Sequence, residues 1–206
     1  MSDVTKTTIG GRDFYYRQGT NDLGIVKKIY TENQYALPND LSGVTLLDIG
    51  AQIGSVSLLA AQRGARVLAF EPYKPSFELL EKNVEGLGVT CYNFGLGIPG
   101  KRTLYHNLFN TGSNSLYNEW EDLKNAPTVK VVVKSILPFL DGDNIYIKMD
   151  CEGAEREILP EVFPHHERIK MIFCEIHQDV EFWIHEIKKF YNVERRSDCE
   201  FKCVHT

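Results

Sequence analysis

A buried strand that runs straight into a glycine-punctuated turn constrains this chain more than any other feature. Leu46-Leu47-Asp48-Ile49-Gly50-Ala51-Gln52-Ile53-Gly54-Ser55 is followed, after a helical stretch, by Val67-Leu68-Ala69-Phe70-Glu71-Pro72. This order reads as a strand, a tight turn, a helix and a second strand that ends in a carboxylate. Turn glycines let the backbone approach a ligand and take angles that a Cβ forbids. The carboxylate of Glu71 can accept hydrogen bonds from both hydroxyls of a ribose. The unit predicts a pocket for a nucleoside-bearing cofactor.

Spacing decides which cofactor. A dinucleotide fold uses G-x-G-x-x-G so that a pyrophosphate can sit on the helix N-terminus. Here only Gly50 and Gly54 are glycine, and Asp48 stands two positions before the first. A carboxylate there suits a ligand with positive charge, an ammonium or a sulfonium, better than a pyrophosphate. Asp48-x-Gly50-x-x-x-Gly54 resembles the first motif of class I S-adenosylmethionine methyltransferases, with Gln52 in place of the usual middle glycine. The expected cofactor contacts are Asp48, Gly50, Ala51, Gln52, Gly54 and Ser55 from the turn, and Glu71 and Pro72 from the second strand end. Phe94 and Gly95 at the third strand end and Asp150 at the fourth complete the set.

The 206 residues suffice for one α/β domain, 1–206, with a substantial core. A net charge of -5 gives no support to nonspecific nucleic-acid or anionic-membrane binding. No apolar run approaches the roughly 20 residues of a spanning helix, and residues 1–6 lack a signal-peptide core. Five cysteines, an odd number, fit reduced thiols and a cytoplasmic location. Cys199 and Cys203 stand four apart, and a metal pair there is conceivable but not favoured.

Along the chain, 7–9 and 14–16 form a small β element around Gly10-Gly11, and Asp22 is expected to cap a short helix. Residues 1–40 thus form a β/helical cover. Strands are expected at 44–49, 66–70, 89–94, 144–149 and 171–176. Helices run over 55–63, from Pro75, from about Gly153 until Pro160 disturbs it, and around Val180, Trp183, Ile184 and Ile187. Residues 191–196 and 201–204 close an antiparallel hairpin. Between the third and fourth strands lies a long insertion, 97–135, in which 101–105 and 129–133 flank the polar tip Asn110-Thr111-Gly112-Ser113-Asn114-Ser115. Insertions of this length are more often functional than idle. This one is expected over the active site, with Asn110, Ser113, Asn114 and Ser115 near the substrate. Alternating strands and helices predict a mostly parallel sheet covered on both faces, with ligands at its carboxyl edge.

Two strands end in dense charge, Asp150-Cys151-Glu152-Gly153 and Glu175-Ile176-His177. Side chains alternate along a strand, so Asp150 and Glu152 share one parity, as do Glu175 and His177. If the strands are neighbours, these four groups meet at the cofactor cleft and can shift one another's pKa toward general-base work. His165 and His166 lie in a Pro-flanked connection and look like surface residues. Glu152 could instead cap the following helix.

Together with the turn and Phe70-Glu71-Pro72, the run Ile147-Lys148-Met149-Asp150-Cys151-Glu152-Gly153-Ala154-Glu155 resembles FkbM-type S-adenosylmethionine-dependent methyltransferases. The resemblance spans about 19–177. It implies a class I, Rossmann-like sheet of seven strands, S-adenosyl-L-methionine as cofactor, and O-methylation of a hydroxyl on a sugar or secondary metabolite. Asp150, His177, Glu152 and Glu175 are the expected catalytic group, with His177 as the natural base for a hydroxyl. Mg²⁺ on these same groups is possible but not favoured, because oxygen-rich sites need more ligands than can be placed. The expected partner is a small hydroxylated acceptor, not nucleic acid or membrane; the oligomeric state stays open. Two rival readings remain: a noncatalytic binding module of the same fold, and an NAD(P)-dependent oxidoreductase, which leaves the missing glycine pattern unexplained.

Overall fold

The computed structural model describes residues 3–206; the first two residues of the 1–6 stretch lie outside the described residues. β1 (Val4–Ile9) and β2 (Arg12–Arg17) form an antiparallel hairpin. α1 (Asp22–Lys27) continues into a π-helical turn over Lys28–Glu32. Asp22 does not cap this helix. It is the first helical residue, and its buried carboxylate takes two hydrogen bonds from the Arg17 guanidinium, at 2.9 and 3.0 Å.

The predicted core unit follows: β3 (Thr45–Ile49), α2 (Ser55–Gln62) and β4 (Arg66–Phe70), with α2 ended by Gly64 at φ +94. α3 (Lys74–Asn83) carries Pro75 in its first turn, where a missing N–H costs nothing. β5 is only Thr90–Tyr92, shorter than the expected 89–94. The chain leaves the sheet there, because β6 (Gly95–Leu96) pairs with the insertion instead. β7 (Gly100–Tyr105) and β8 (Thr128–Lys134) pair antiparallel, and with β6 they make a separate three-stranded sheet.

β9 (Ile145–Met149), α4 (Glu155–Val162), β10 (Ile169–Glu175), α5 (Val180–Ile187), β11 (Tyr191–Arg195) and β12 (Glu200–His205) complete the fold. Pro160 does not end α4: the helix runs on to Val162 and into a 3-10 turn over Phe163–Arg168. One lost ladder bond is tolerable when Ile158, Leu159 and Val162 are fully buried.

The main sheet has seven strands in the order β11-β12-β10-β9-β3-β4-β5. The five from β10 to β5 are parallel, and β12 runs antiparallel between β10 and β11. Alternation along the strands sends Leu47 and Ile49 to one face, against α4 and α5, and Leu46 to the other, against α2, α3 and the N-terminal cover. β3 and β9 lie side by side, but their onward helices lead to β4 on one side and β10 on the other. That reversal opens a crevice at the carboxyl edge of the sheet.

Candidate active site

The turn after β3 is fixed from three directions. Gly50 and Ala51 donate backbone hydrogen bonds to the Phe70 carbonyl at the end of β4, at 3.1 and 3.0 Å. On the other side, the buried Lys148 ammonium donates to the carbonyls of Gly50 (2.8 Å) and Ile49 (3.4 Å). Gly50 has φ +74, and a Cβ there would stand 1.9 Å from the Asp150 carbonyl oxygen. No other residue fits between these strand ends. Gly54 answers a different need, since a Cβ would meet Leu80 of α3 at 2.7 Å. It serves helix packing.

Gln52 occupies the left-handed region, φ 50. That conformation costs a residue with a Cβ about 1–2 kcal/mol, and its hydrogen bonds offset the cost. Its backbone N–H donates to Glu71 Oε2 at 2.9 Å, and its side-chain amide donates to Asp22 (2.8 Å) and Thr111 (3.0 Å). One residue therefore ties the turn to β4, to the N-terminal cover and to the insertion.

Two recesses flank this turn. The larger, about 570 Å³ of open space, has apolar walls at Phe70, Pro72, Leu96, Leu104 and Leu116 and polar groups at Gln52, Glu71, Asn114, Asp150 and Glu152. The smaller, about 350 Å³, is lined by Ile25, Tyr35, Ala51, Ser55, Lys148 and Asp150, among others. Gly50, Gln52, Gly112 and Asp150 border both. Glu71 is buried and accepts the Tyr73 N–H at 2.7 Å besides that of Gln52. Burial outweighs these bonds and pushes its carboxyl up to about 7.

The four expected catalytic groups do come together. His177 Nδ1 lies 3.2 Å from Glu155, and Nε2 lies 3.2 Å from Glu152 and 3.6 Å from Glu175. Burial opposes a charge on the ring, but the bond to Glu155 and the carboxylates of Glu152, Glu155 and Asp150 outweigh it, raising His177 to about 10. Burial and the Asp150 charge raise Glu152 to about 8, and the same two causes raise Glu175. With Glu155 at Nδ1 and with Glu152 and Glu175 at Nε2, both ring nitrogens are placed to donate, an arrangement that disfavours His177 as a proton acceptor. It borders neither recess, whereas Asp150 borders both. Glu152 does not cap α4, which carries no side-chain cap; Glu155, its first residue, instead accepts the backbone N–H groups of Cys151 and Gly153 in the preceding turn, at 3.0 and 2.9 Å.

Several other expected contacts sit elsewhere. Asp48 is fully buried, accepting from Ser57 at 2.5 Å with Lys148 3.5 Å away, so it faces the protein and not a ligand. Phe94 packs among Phe70, Tyr92 and Phe139, and Gly95 and Leu96 reach the recess in its place. In the insertion, Asn114 lines the larger recess together with Thr111 and Gly112. Ser115 is buried and donates to the Glu152 carbonyl at 2.6 Å. Asn110 accepts from Asn21, and Ser113 turns back onto the Asn110 carbonyl at 3.0 Å. Neither borders a recess. Tyr35, Thr111, Gly112 and Glu155 carried no expected role; Thr111 and Gly112 lie in the polar tip 110–115 and Glu155 in the 147–155 run, whereas Tyr35 lies in no motif.

A mostly parallel sheet with an inserted antiparallel strand and a crevice at its switch point defines a class I, Rossmann-like methyltransferase fold. Residues 48–202 match the family described as Methyltransferase FkbM domain. The chain belongs to that family. Methyltransferase sdnD of Sordaria araneosa is 28% identical over 179 residues, covering 69% of this chain and 69% of that protein. A 75-residue stretch is 39% identical to the AMB antimetabolite synthetase AmbE of Pseudomonas aeruginosa; it covers 35% of this chain and 3% of AmbE. Among solved structures, transferase PH0793 of Pyrococcus horikoshii superposes with a TM-score of 0.50 at 16% identity, covering 100% of this chain and 71% of that one.

Proposed function

We propose that the cleft binds S-adenosylmethionine and that the protein methylates a hydroxyl oxygen of a small acceptor, a sugar or a secondary metabolite. The observation that carries this reading is the position of Asp150. It borders both recesses at the turn of Gly50, and Glu71, which accepts the Gln52 N–H, lines the larger one. The residues fit such a ligand. Glu71 can accept both ribose hydroxyls, and Phe70, Pro72, Gly95 and Leu96 offer an apolar slot for a purine. The amino-acid end would fit the smaller recess, against the backbone of Gly50 to Gln52 and against Ser55. S-adenosylmethionine supplies a methyl group on a positively charged sulfur.

The protein's own work is then positioning and proton removal. The insertion and the N-terminal cover, joined through Gln52, exclude water from the cleft. Asp150 accepts the proton of the acceptor hydroxyl. His177, already charged, holds Glu152, Glu155 and Glu175 in place instead of acting as the base. Asp48 anchors Lys148, which in turn fixes the turn. A small secondary-metabolite acceptor is supported by the partial likeness to an antimetabolite synthetase. The free cysteines support a reducing, cytoplasmic setting. Atoms of Asp150, Glu175 and His177 lie within 4.8 Å of one another and could ligate a divalent cation. Binding one there would strip His177 of a proton and of its carboxylate bonds, so direct proton transfer to Asp150 is the favoured route.

A thermal shift series tests the reading. S-adenosylhomocysteine should raise the melting midpoint and NAD should not, since only a ligand of the native state stabilises it. The reverse pattern would return the oxidoreductase reading, and indifference to both would favour a noncatalytic module. Activity abolished by EDTA and restored by Mg²⁺ would replace the metal-free route.

A further inference from the structure

Tyr35 lies in the irregular stretch between the π turn and β3, before the 48–202 region that matches the family. Its hydroxyl donates to Asp150 Oδ2 at 2.7 Å. Its ring is buried and lines the smaller recess beside Lys148. The segment that carries it is firmly built. Asn33 and Ala36 are both left-handed, φ 47 and 48, a conformation that costs residues with a Cβ and persists only where the surroundings enforce it. Asn33 clamps Leu37 twice, accepting its N–H at 3.2 Å and donating to its carbonyl at 3.1 Å. Gln34 donates to Glu200, across the sheet edge, at 2.5 Å.

Asp150 has a second neighbour, and this one is cationic. Lys148 Nζ stands 4.0 Å from the same Oδ2 that Tyr35 holds. Burial, followed by the charge of Asp150, raises the Tyr35 hydroxyl well above its usual range, so at neutral pH it remains a donor. A neutral O–H on Oδ2 fixes the carboxylate without removing its charge, whereas a closed ion pair with Lys148 would turn it away from the cleft.

We propose that Tyr35 is a positioning residue for Asp150, holding Oδ2 so that Oδ1 faces the methyl-transfer point. The proposal rests on Asp150 being the proton acceptor of the reading above. In that step the acceptor oxygen bonds to the methyl carbon as the carbon–sulfur bond breaks, the electron pair stays on sulfur, and the hydroxyl proton passes to Oδ1. Tyr35 keeps its own proton throughout. A residue outside the matched family region would then complete the site.

Two cofactor analogues test this without an acceptor. S-adenosylhomocysteine has a neutral sulfur at the transfer point; sinefungin has a carbon bearing an ammonium there. Calorimetric titration of the full chain at pH 7 should give about tenfold tighter binding of sinefungin, the size of one charge-assisted hydrogen bond. Asp150→Asn should abolish the preference. Tyr35→Phe should bind S-adenosylhomocysteine within about twofold of wild type yet lose most of the preference for sinefungin, as the carboxylate swings to Lys148. If Tyr35→Phe keeps the preference while Asp150→Asn loses it, Tyr35 does not position Asp150 and the proposal is overturned, with the Asp150 reading intact. If Asp150→Asn keeps it too, Asp150 is not at the transfer point and both fall. If Tyr35→Phe weakens both analogues equally, its role is general packing, which also overturns the proposal.

Discussion

Glu71 should make nucleoside binding depend on pH in a way that few cleft residues can imitate. Its carboxyl is buried and sits at about 7 in the free protein, mainly because burial disfavours the charge. Two ribose hydroxyls donating to it would favour the ionised form. Binding must then expel the proton that Glu71 holds below pH 7, so affinity follows the fraction already ionised. With the free group near 7, affinity should be about tenfold weaker at pH 6 than at pH 8, or about 1.4 kcal/mol. 5′-Methylthioadenosine is the suitable probe, having the adenine and ribose but no ammonium that titrates in this range. Calorimetry at pH 7 in buffers of different ionisation enthalpy should count about half a proton released per ligand bound. Glu71→Gln should flatten the pH dependence and weaken binding by about 1–3 kcal/mol. Equal wild-type affinity at pH 6 and pH 8, with no buffer dependence, would refute Glu71 as the ribose acceptor.

Three further outcomes follow from the geometry. Gly50→Ala should destabilise the fold by about 3 kcal/mol or more in chemical denaturation, because its Cβ would meet the Asp150 carbonyl at 1.9 Å and φ is +74. The acidic cluster should make the protein less stable as pH rises. The folded state holds a proton on Glu152 up to about 8, where the unfolded chain loses it near 4.5, and a proton on His177 up to about 10, where the unfolded chain loses it near 6.5. Urea midpoints should therefore fall between pH 6 and pH 10, and His177→Gln should flatten that fall. Gln52→Gly keeps the left-handed backbone but removes the links to Asp22 and Thr111, so hydrogen exchange should quicken in both 20–27 and 107–115.

The sheet was legible because its signals are local. The 46–72 unit and the apolar runs 144–149 and 171–176 each announce a strand by pattern, and strand–helix alternation then orders them. The placement of Glu71 and Asp150 at strand ends was legible for the same reason: a carboxylate there needs only the strand to be located. What stayed hidden depends on contacts between distant segments. Asp22 reads as a helix cap from its neighbours, yet Arg17, Gln52 and Thr111 claim its carboxylate. Asp48 reads as a ligand for a cation, and the cation it meets is Lys148 of the adjacent strand. His177 reads as a base until Glu155, a helix turn away in sequence from Glu152, brings a second carboxylate to its other nitrogen. Tyr35 had no pattern to betray it, since its stretch has no periodicity and its partner is 115 residues away.

The most direct test is methyl transfer itself, with labelled S-adenosylmethionine offered against a panel of hydroxylated sugars and secondary metabolites and the products located by mass spectrometry. The account predicts label on an acceptor oxygen, and a rate that falls by about 10²–10⁴-fold in Asp150→Asn. Label on a nitrogen or carbon, or an Asp150→Asn variant as fast as wild type, would contradict it.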